Sequence, residues 1–287
     1  MDSQHYVSRL LLKHFVFGTK QVFVFDKQTE RSFPKAIKKV ACRDGFDDCE
    51  VGGEPFSIDP LLKKIENRTS PIIDSLVAMR SLRVLSGPDK KTLALFATVQ
   101  MLRTDGRRKE LKGLIDSVRD AVKRAGIDPS KVQGFKFLDM EQTRVAAITS
   151  LPELARDLLP EFLNKSLILY TTTEDHLFYI SDNPVVRFNL NQDPLRSTLG
   201  LRTRGIQIYL PISSTLCLGF LCPSINLPLG VRFLGRPLSL SPANVEHFNS
   251  LQVLNAEQFI YSQRDDFALV CAMFSQVPEA RRGPRWA

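Results

Sequence analysis

The chain has 287 residues, 43% of them hydrophobic, which supplies a real core for one large domain or two modest ones and sets aside disordered or disulfide-stapled classes. Its five cysteines are odd in number, with no CxxC pair and no histidine at zinc-finger spacing, so neither a disulfide framework nor a structural zinc site is expected, and a cytoplasmic location fits best. The net charge of +8 favours anionic partners only weakly, because a solvated basic surface has the same total.

The opening MDSQHYVSRLLLKHF lacks the apolar core and cleavage site of a secretory signal, so it reads as mature protein beginning with an amphipathic helix. At about 100° per residue, His5, Arg9 and Lys13 share one polar arc opposite Val7, Leu10, Leu11 and Phe15. QVFVFDK alternates as a strand does, and RSFPKAIKKVACRDGFDD reads as a second extended piece followed by a turn-rich loop. Asp59 and Pro60 then predict a helix start, with the helix running through Glu66 to Leu76 and kinked near Pro71. Further helices are expected over Lys90 to Leu111, Gly113 to Ala125, Glu141 to Thr149 and Pro152 to Leu163.

From Lys165 the periodicity shortens. SLILYTT, TEDH and LFYIS make one hairpin pattern, and IQIYLP with STLCLGFL makes another. Ser241 and Pro242 open one more helix through Leu254, DFALVCAMF reads as a closing strand, and PEARRGPRWA reads as a mobile tail. The fold class predicted is α+β over residues 1–275, with a helical lobe (59–163) packed against a mostly antiparallel sheet lobe (16–58 and 165–274) and a flexible tail at 276–287. The uncharged stretch from Gly205 to Val231 would satisfy a hydropathy window, but Pro211, Pro223 and Pro228 interrupt it and its runs have strand length, so no membrane span is expected.

Some polar residues are misplaced for a plain core. KKTLALFATVQMLRTDGRRKEL is apolar nearly all round from Leu93 to Leu102, yet Gln100, Arg103, Thr104 and Arg107 continue the row of Leu93, Phe96 and Ala97. A buried arginine needs an anion, and Glu66, at helical spacing with Leu62, Ile65, Ile73 and Leu76, is the partner inferred from spacing. In FYISDNPV an apolar strand ends in Ser181, Asp182, Asn183 and Pro184, which serves equally as a tight turn or as a strand end presenting Asp182 over a cleft. Basic excess concentrates between Arg103 and Lys136, where ten Lys and Arg face five Asp and Glu.

Taken together, HYVSRLLLKHF, VFVFDK, Glu66, LFATVQMLRTDGRR, FYISDNPVV, IYLPIS and VEHFNSLQVLNAEQFIYS resemble, in order and spacing, the uncharacterised bacterial family called domain of unknown function 4238. Ser8 stands where that family usually has proline, and Asp105 stands where proline commonly follows arginine and threonine. The resemblance implies no settled activity; it nominates His5, Arg9, Gln100, Arg103, Ser181, Asp182, Asn183 and Asn249 as the residues matching the family's polar motifs.

No phosphate loop, dinucleotide fingerprint, nucleophile elbow or HExxH is present, so P-loop hydrolysis is excluded. The first expectation is a phosphodiester-cleaving enzyme, a nuclease of defence or toxin type, with a pocket between the lobes. His5, Arg9, Gln100, Arg103 and Asp182 would be catalytic, and Lys13, Arg107, Arg108, Ser181, Asn183 and Asn249 would bind substrate. Glu66 and Asp182 would hold a divalent ion, magnesium or manganese, if one is used, and nucleic acid would be the partner. The alternative is a non-catalytic binding module that recognises an anionic ligand or a protein partner with the same polar set. Oligomeric state is not encoded in these residues.

Overall fold

A computed structural model describes residues 3–132, 138–190, 199–224 and 235–284, and its α+β fold is built on two sheets. The larger sheet contains β7 (Ser166–Thr171), β9 (Val186–Phe188), β10 (Gln207–Ser213), β11 (Leu216–Leu221) and β12 (Leu238–Ser239), in the order β12-β7-β11-β10-β9. Its centre is the hairpin that the IQIYLP and STLCLGFL runs predict, with Ile208 opposite Phe220. Every residue of β10 and β11 is buried, which explains why these strands read as continuous apolar runs rather than alternating ones.

The smaller sheet contains β2 (Gln21–Asp26), β3 (Arg31–Ala36), β8 (Ile180–Ser181) and β13 (Phe259–Ser262), in the order β3-β2-β13-β8. Its edge strand β3 is largely exposed and holds Pro34, a residue that cannot donate to a further strand. Two ribbons complete the strands: β1 (Ser3–His5) pairs with β4 (Cys42–Asp44), and β5 (Asp48–Val51) pairs with β6 (Glu54–Ser57). The second ribbon turns at Gly52 and Gly53, whose φ values of 63° and 87° suit the primed hairpin turns.

In the helical lobe, α2 (Asp59–Met79), α3 (Gly87–Leu102), α4 (Asp105–Arg124), α5 (Met140–Thr149) and α6 (Leu151–Leu163) follow one another in the chain. Helix α3 is central, packing on both α2 and α6, and every residue from Leu93 to Leu102 except Leu95 is buried. Among the described residues, no helix is long and apolar enough to cross a membrane.

Five expectations need correction. The opening stretch is not one helix: β1 ends at His5, which lies opposite Cys42, and α1 (Arg9–Leu12) is a single turn whose Leu10 amide donates to Ser8 Oγ at 3.3 Å. The arc of His5, Arg9 and Lys13 therefore does not exist as a helix face. The interior helix stops at Leu102 rather than Leu111, because Thr104 Oγ1 accepts from the Arg107 amide and starts α4 anew, with Asp105 in its first turn.

The first expected hairpin is not formed, since β7 and β8 belong to different sheets. DFALVCAMF is helical, α8 (Ala268–Gln276), because Val270 and Phe274 bury one face at a spacing of four. The described part of the tail, 277–284, is docked rather than loose: Pro278–Arg281 forms a 3-10 turn, Ala280 is buried and Arg281 pairs with Glu30 at 2.7 Å. Helix α2 continues through Pro71. Lys136, Pro228, Val231 and the end of the tail beyond Pro284 lie outside the described residues.

Candidate functional site

Helix α3 presents Gln100 from its buried face, and Arg103 from its C-cap position, to the start of the chain. Gln100 accepts from the Ser8 amide at 3.1 Å and donates to the Tyr6 carbonyl at 2.8 Å, locking the link between β1 and α1. Arg103, 3% exposed, donates to Glu66 Oε1 at 2.5 Å and to the His5 carbonyl, so the ion pair inferred from spacing is formed. A second carboxylate, which sequence reasoning missed, also faces it: Asp47 Oδ2 lies 3.6 Å from Arg103 and Oδ1 lies 3.4 Å from Arg108. Burial pushes the Asp47 carboxyl up to about 6 against the pull of those two guanidinium groups. Asp47 sits in the GFDD turn, where no periodic pattern marks it as interior.

Arg108 lies 3.6 Å over the Phe46 ring, and burial lowers its pKa to about 10. The His5 imidazole Nε2 lies 3.2 Å from the Ile37 carbonyl oxygen, and burial lowers its pKa. Arg9 is exposed. Lys13 joins another network, donating to Asp74 at 2.8 Å and to Ser70 at 2.9 Å on α2.

The segment Ser181 to Val185 carries the chain from β8 in the smaller sheet to β9 in the larger one. Asp182 anchors this crossing by accepting from the Glu257, Gln258 and Phe259 amides, each at 2.8 Å. Burial raises its pKa while the three amides lower it. Helix α7 (Pro242–Asn255) clamps the same segment: Asn249 bonds Tyr179 N and Leu177 O, Gln252 bonds Ser181 and Pro184, and Asn255 donates to the Asn183 and Val185 carbonyls. Gln252 and Asn255 were missed, although with Asn249 they form a row at spacing three on that helix, a pattern the sequence does carry. Lys27, buried at the end of β2, donates to the Val253, Ala256 and Arg282 carbonyls; nothing in FDKQTE signals it.

The first residues, the interior helix and the aspartate-tipped strand end thus converge. Thr104 Oγ1 donates to Asn183 Oδ1 at 2.8 Å, joining the helical lobe to the inter-sheet crossing. At Gly106 a Cβ would lie 2.9 Å from Asn183 Nδ2, so a side chain there would push the start of α4 off the crossing. The contacts at this junction are mainly side chain to backbone, the pattern of a structural lock.

Beside the junction lies a cavity of about 370 Å³, within the usual size range of small-ligand sites. Arg107 and Asn183, both expected site residues, line it; His5, Arg103 and Asp182 do not. Leu158, Val185 and Leu201 give it an apolar surface, while Arg107, Arg187 and Arg202 outnumber Glu110 and Glu161. Glu110 is shared: Oε2 is 2.5 Å from Arg107 and Oε1 is 3.1 Å from Arg187. Arg202 pairs with Glu161 at 2.7 Å. Among the described residues, no three His, Cys, Asp or Glu side chains are grouped to hold a metal ion, and Glu66 and Asp182 belong to separate hydrogen-bond networks.

A family model described as protein of unknown function, DUF4238, matches residues 3–266. No curated protein and no solved structure matches the chain.

Proposed function

The chain belongs to DUF4238, a family of proteins of unknown function, and from the geometry of its inter-lobe cavity we propose that it is a non-catalytic binding module for a small phosphorylated ligand of about mononucleotide size. The observation that carries this reading is the fork at Glu110, where one internal carboxylate lies between two guanidinium groups. Planar guanidinium donors suit phosphate oxygens as well as carboxylate oxygens, and an entering phosphate would compete for the place Glu110 now holds. The apolar wall offers a ring or base a surface out of water. The Asn183 and Asn255 amides already serve the crossing, so recognition of charge falls to the arginines.

Phosphodiester cleavage by His5 and Asp182 draws less support from the same geometry. Both Asp182 oxygens are held by backbone amides, the His5 imidazole lies against Ile37, and neither residue lines the cavity. A general base needs a proton within reach and a lone pair to take it.

Calorimetric titration with inorganic pyrophosphate and adenosine 5′-monophosphate tests the proposal. Saturable binding that weakens as sodium chloride rises is expected. Arg107→Ala or Arg187→Ala should each weaken it by roughly tenfold or more, the usual worth of a charged hydrogen bond. Glu110→Gln, which removes the competing charge, should tighten it several-fold. Absence of binding at millimolar ligand, or binding indifferent to both arginines, contradicts the assignment.

A further inference from the structure

A second cavity, of about 460 Å³, shares no lining residue with the first. It is a groove laid along α3, with Leu95 and Val99 on its floor, Leu61 and Ile65 of α2 on one side, and Ala155 and Leu159 of α6 on the other. This explains the exception in α3: Leu95 is the one residue between Leu93 and Leu102 that is not buried, because it faces this groove.

The charges around the groove are of one sign. Lys64 and Arg68 stand one turn apart on α2, Arg156 stands on α6, and among the described residues no carboxylate lines the groove. Lys64 and Arg68 have no ion-pair partner among the described residues, and Arg156 reaches only the exposed carboxylate of its chain neighbour Asp157, at 3.5 Å. A surface groove on a globular domain usually mixes both signs at its margin. An apolar trough margined only by cations complements an occupant with an apolar body and an anionic end.

We infer that this three-helix groove binds a single-chain amphiphile with an anionic head, a free alkyl carboxylate, with the chain along Leu95 and Val99 and the head between Lys64, Arg68 and Arg156. An extended alkyl chain needs no internal hydrogen bonds and suits a narrow apolar site.

The test is calorimetric titration of the full chain with sodium octanoate and decanoate, decanol, and decyltrimethylammonium, all below micelle formation. Decanoate is expected to saturate one site, with affinity rising roughly tenfold from octanoate to decanoate, as two buried methylenes require. Decanol should bind at least tenfold more weakly than decanoate, and the cationic amphiphile should not compete. Lys64→Glu with Arg68→Glu, both at exposed positions, should remove the preference for decanoate over decanol while leaving the circular dichroism spectrum and decanol binding unchanged.

Leu95→Trp, which fills the floor, should abolish binding of both, without affecting pyrophosphate binding in the other cavity. No saturation by decanoate, equal affinity for all three decyl head groups, or decanoate binding that survives Leu95→Trp would overturn the inference. So would concentration-dependent dimerisation lost in Leu95→Trp, which would make a second copy of the chain the occupant.

Discussion

Replacing Arg103 by methionine is expected to destabilise the fold by about 3–5 kcal/mol, the usual cost of removing one partner from a buried ion pair. Arg103 ties together three chain segments distant in sequence: Glu66 on α2, the His5 carbonyl on β1, and Asp47 in the loop before β5. Methionine fills much of the volume but leaves the Asp47 carboxylate facing only Arg108, and leaves the His5 carbonyl without its guanidinium donor. Glu66 is about a quarter exposed and can recover hydration, so Asp47 should account for most of the loss. A double variant, Arg103→Met with Glu66→Met, should be less damaging than the sum of the single variants, with a coupling of about 1 kcal/mol or more in a double-mutant cycle. Denaturant midpoints measure both quantities; a single variant as stable as the parent contradicts the role given to the cluster.

Asp182→Asn is expected to cost about 3 kcal/mol or more, although it changes only one oxygen to an amide nitrogen. The carboxylate accepts three backbone N–H groups using both oxygens, whereas an asparagine offers one acceptor and turns a donor toward at least one of those amides. Those amides span the turn between α7 and β13 and the first residue of β13, so the loss should appear locally as faster hydrogen exchange at Glu257, Gln258 and Phe259, and globally as a lower unfolding midpoint. A catalytic aspartate behaves differently, because its amide variant keeps the fold and loses turnover. An Asp182→Asn protein with unchanged stability and unchanged exchange at those amides contradicts the structural role.

The elements legible in the sequence are those whose burial follows one period. The hairpin of β10 and β11, helix α2 at its Asp-Pro start and helix α7 from its Ser-Pro start lie where local signals put them, although Asp59 is the first residue of α2 rather than its cap, the capping position being Ile58 with no side-chain cap bond. The Glu66–Arg103 pair was legible too, because both residues interrupt apolar rows and a buried charge must be met.

What was not legible depended on pairings distant in the chain. Residues 3–5 have helical spacing but are drawn into a ribbon by Arg43 and its neighbours, and Gln100 fixes the backbone that follows. β7 and β8 look like a hairpin until their partners, β11 and β13, compete for them. The break at Thr104 was hidden because Asp105 stands where the resembling family has proline, the residue that would have announced a first helical position. Of the residues that line the candidate cavity, Arg107 and Asn183 are among those the sequence nominates, whereas Arg187, Arg202, Glu110 and Glu161 read as ordinary surface charges, since only the folded chain brings β9, α4 and α6 to one cavity. SDNP, which reads equally as a turn or a ligand-bearing strand end, is the crossing between two sheets.

If the cavity takes the ligand while the junction beside it only holds the fold together, amide hydrogen exchange with and without saturating pyrophosphate will separate the two. Slower exchange confined to Arg107–Glu110, Asn183–Arg187 and Gly200–Thr203 is the predicted result, with exchange from His5 to Ser8 and at Arg103 unchanged. Protection centred instead on the chain start and Arg103, or no protection anywhere at saturation, contradicts it.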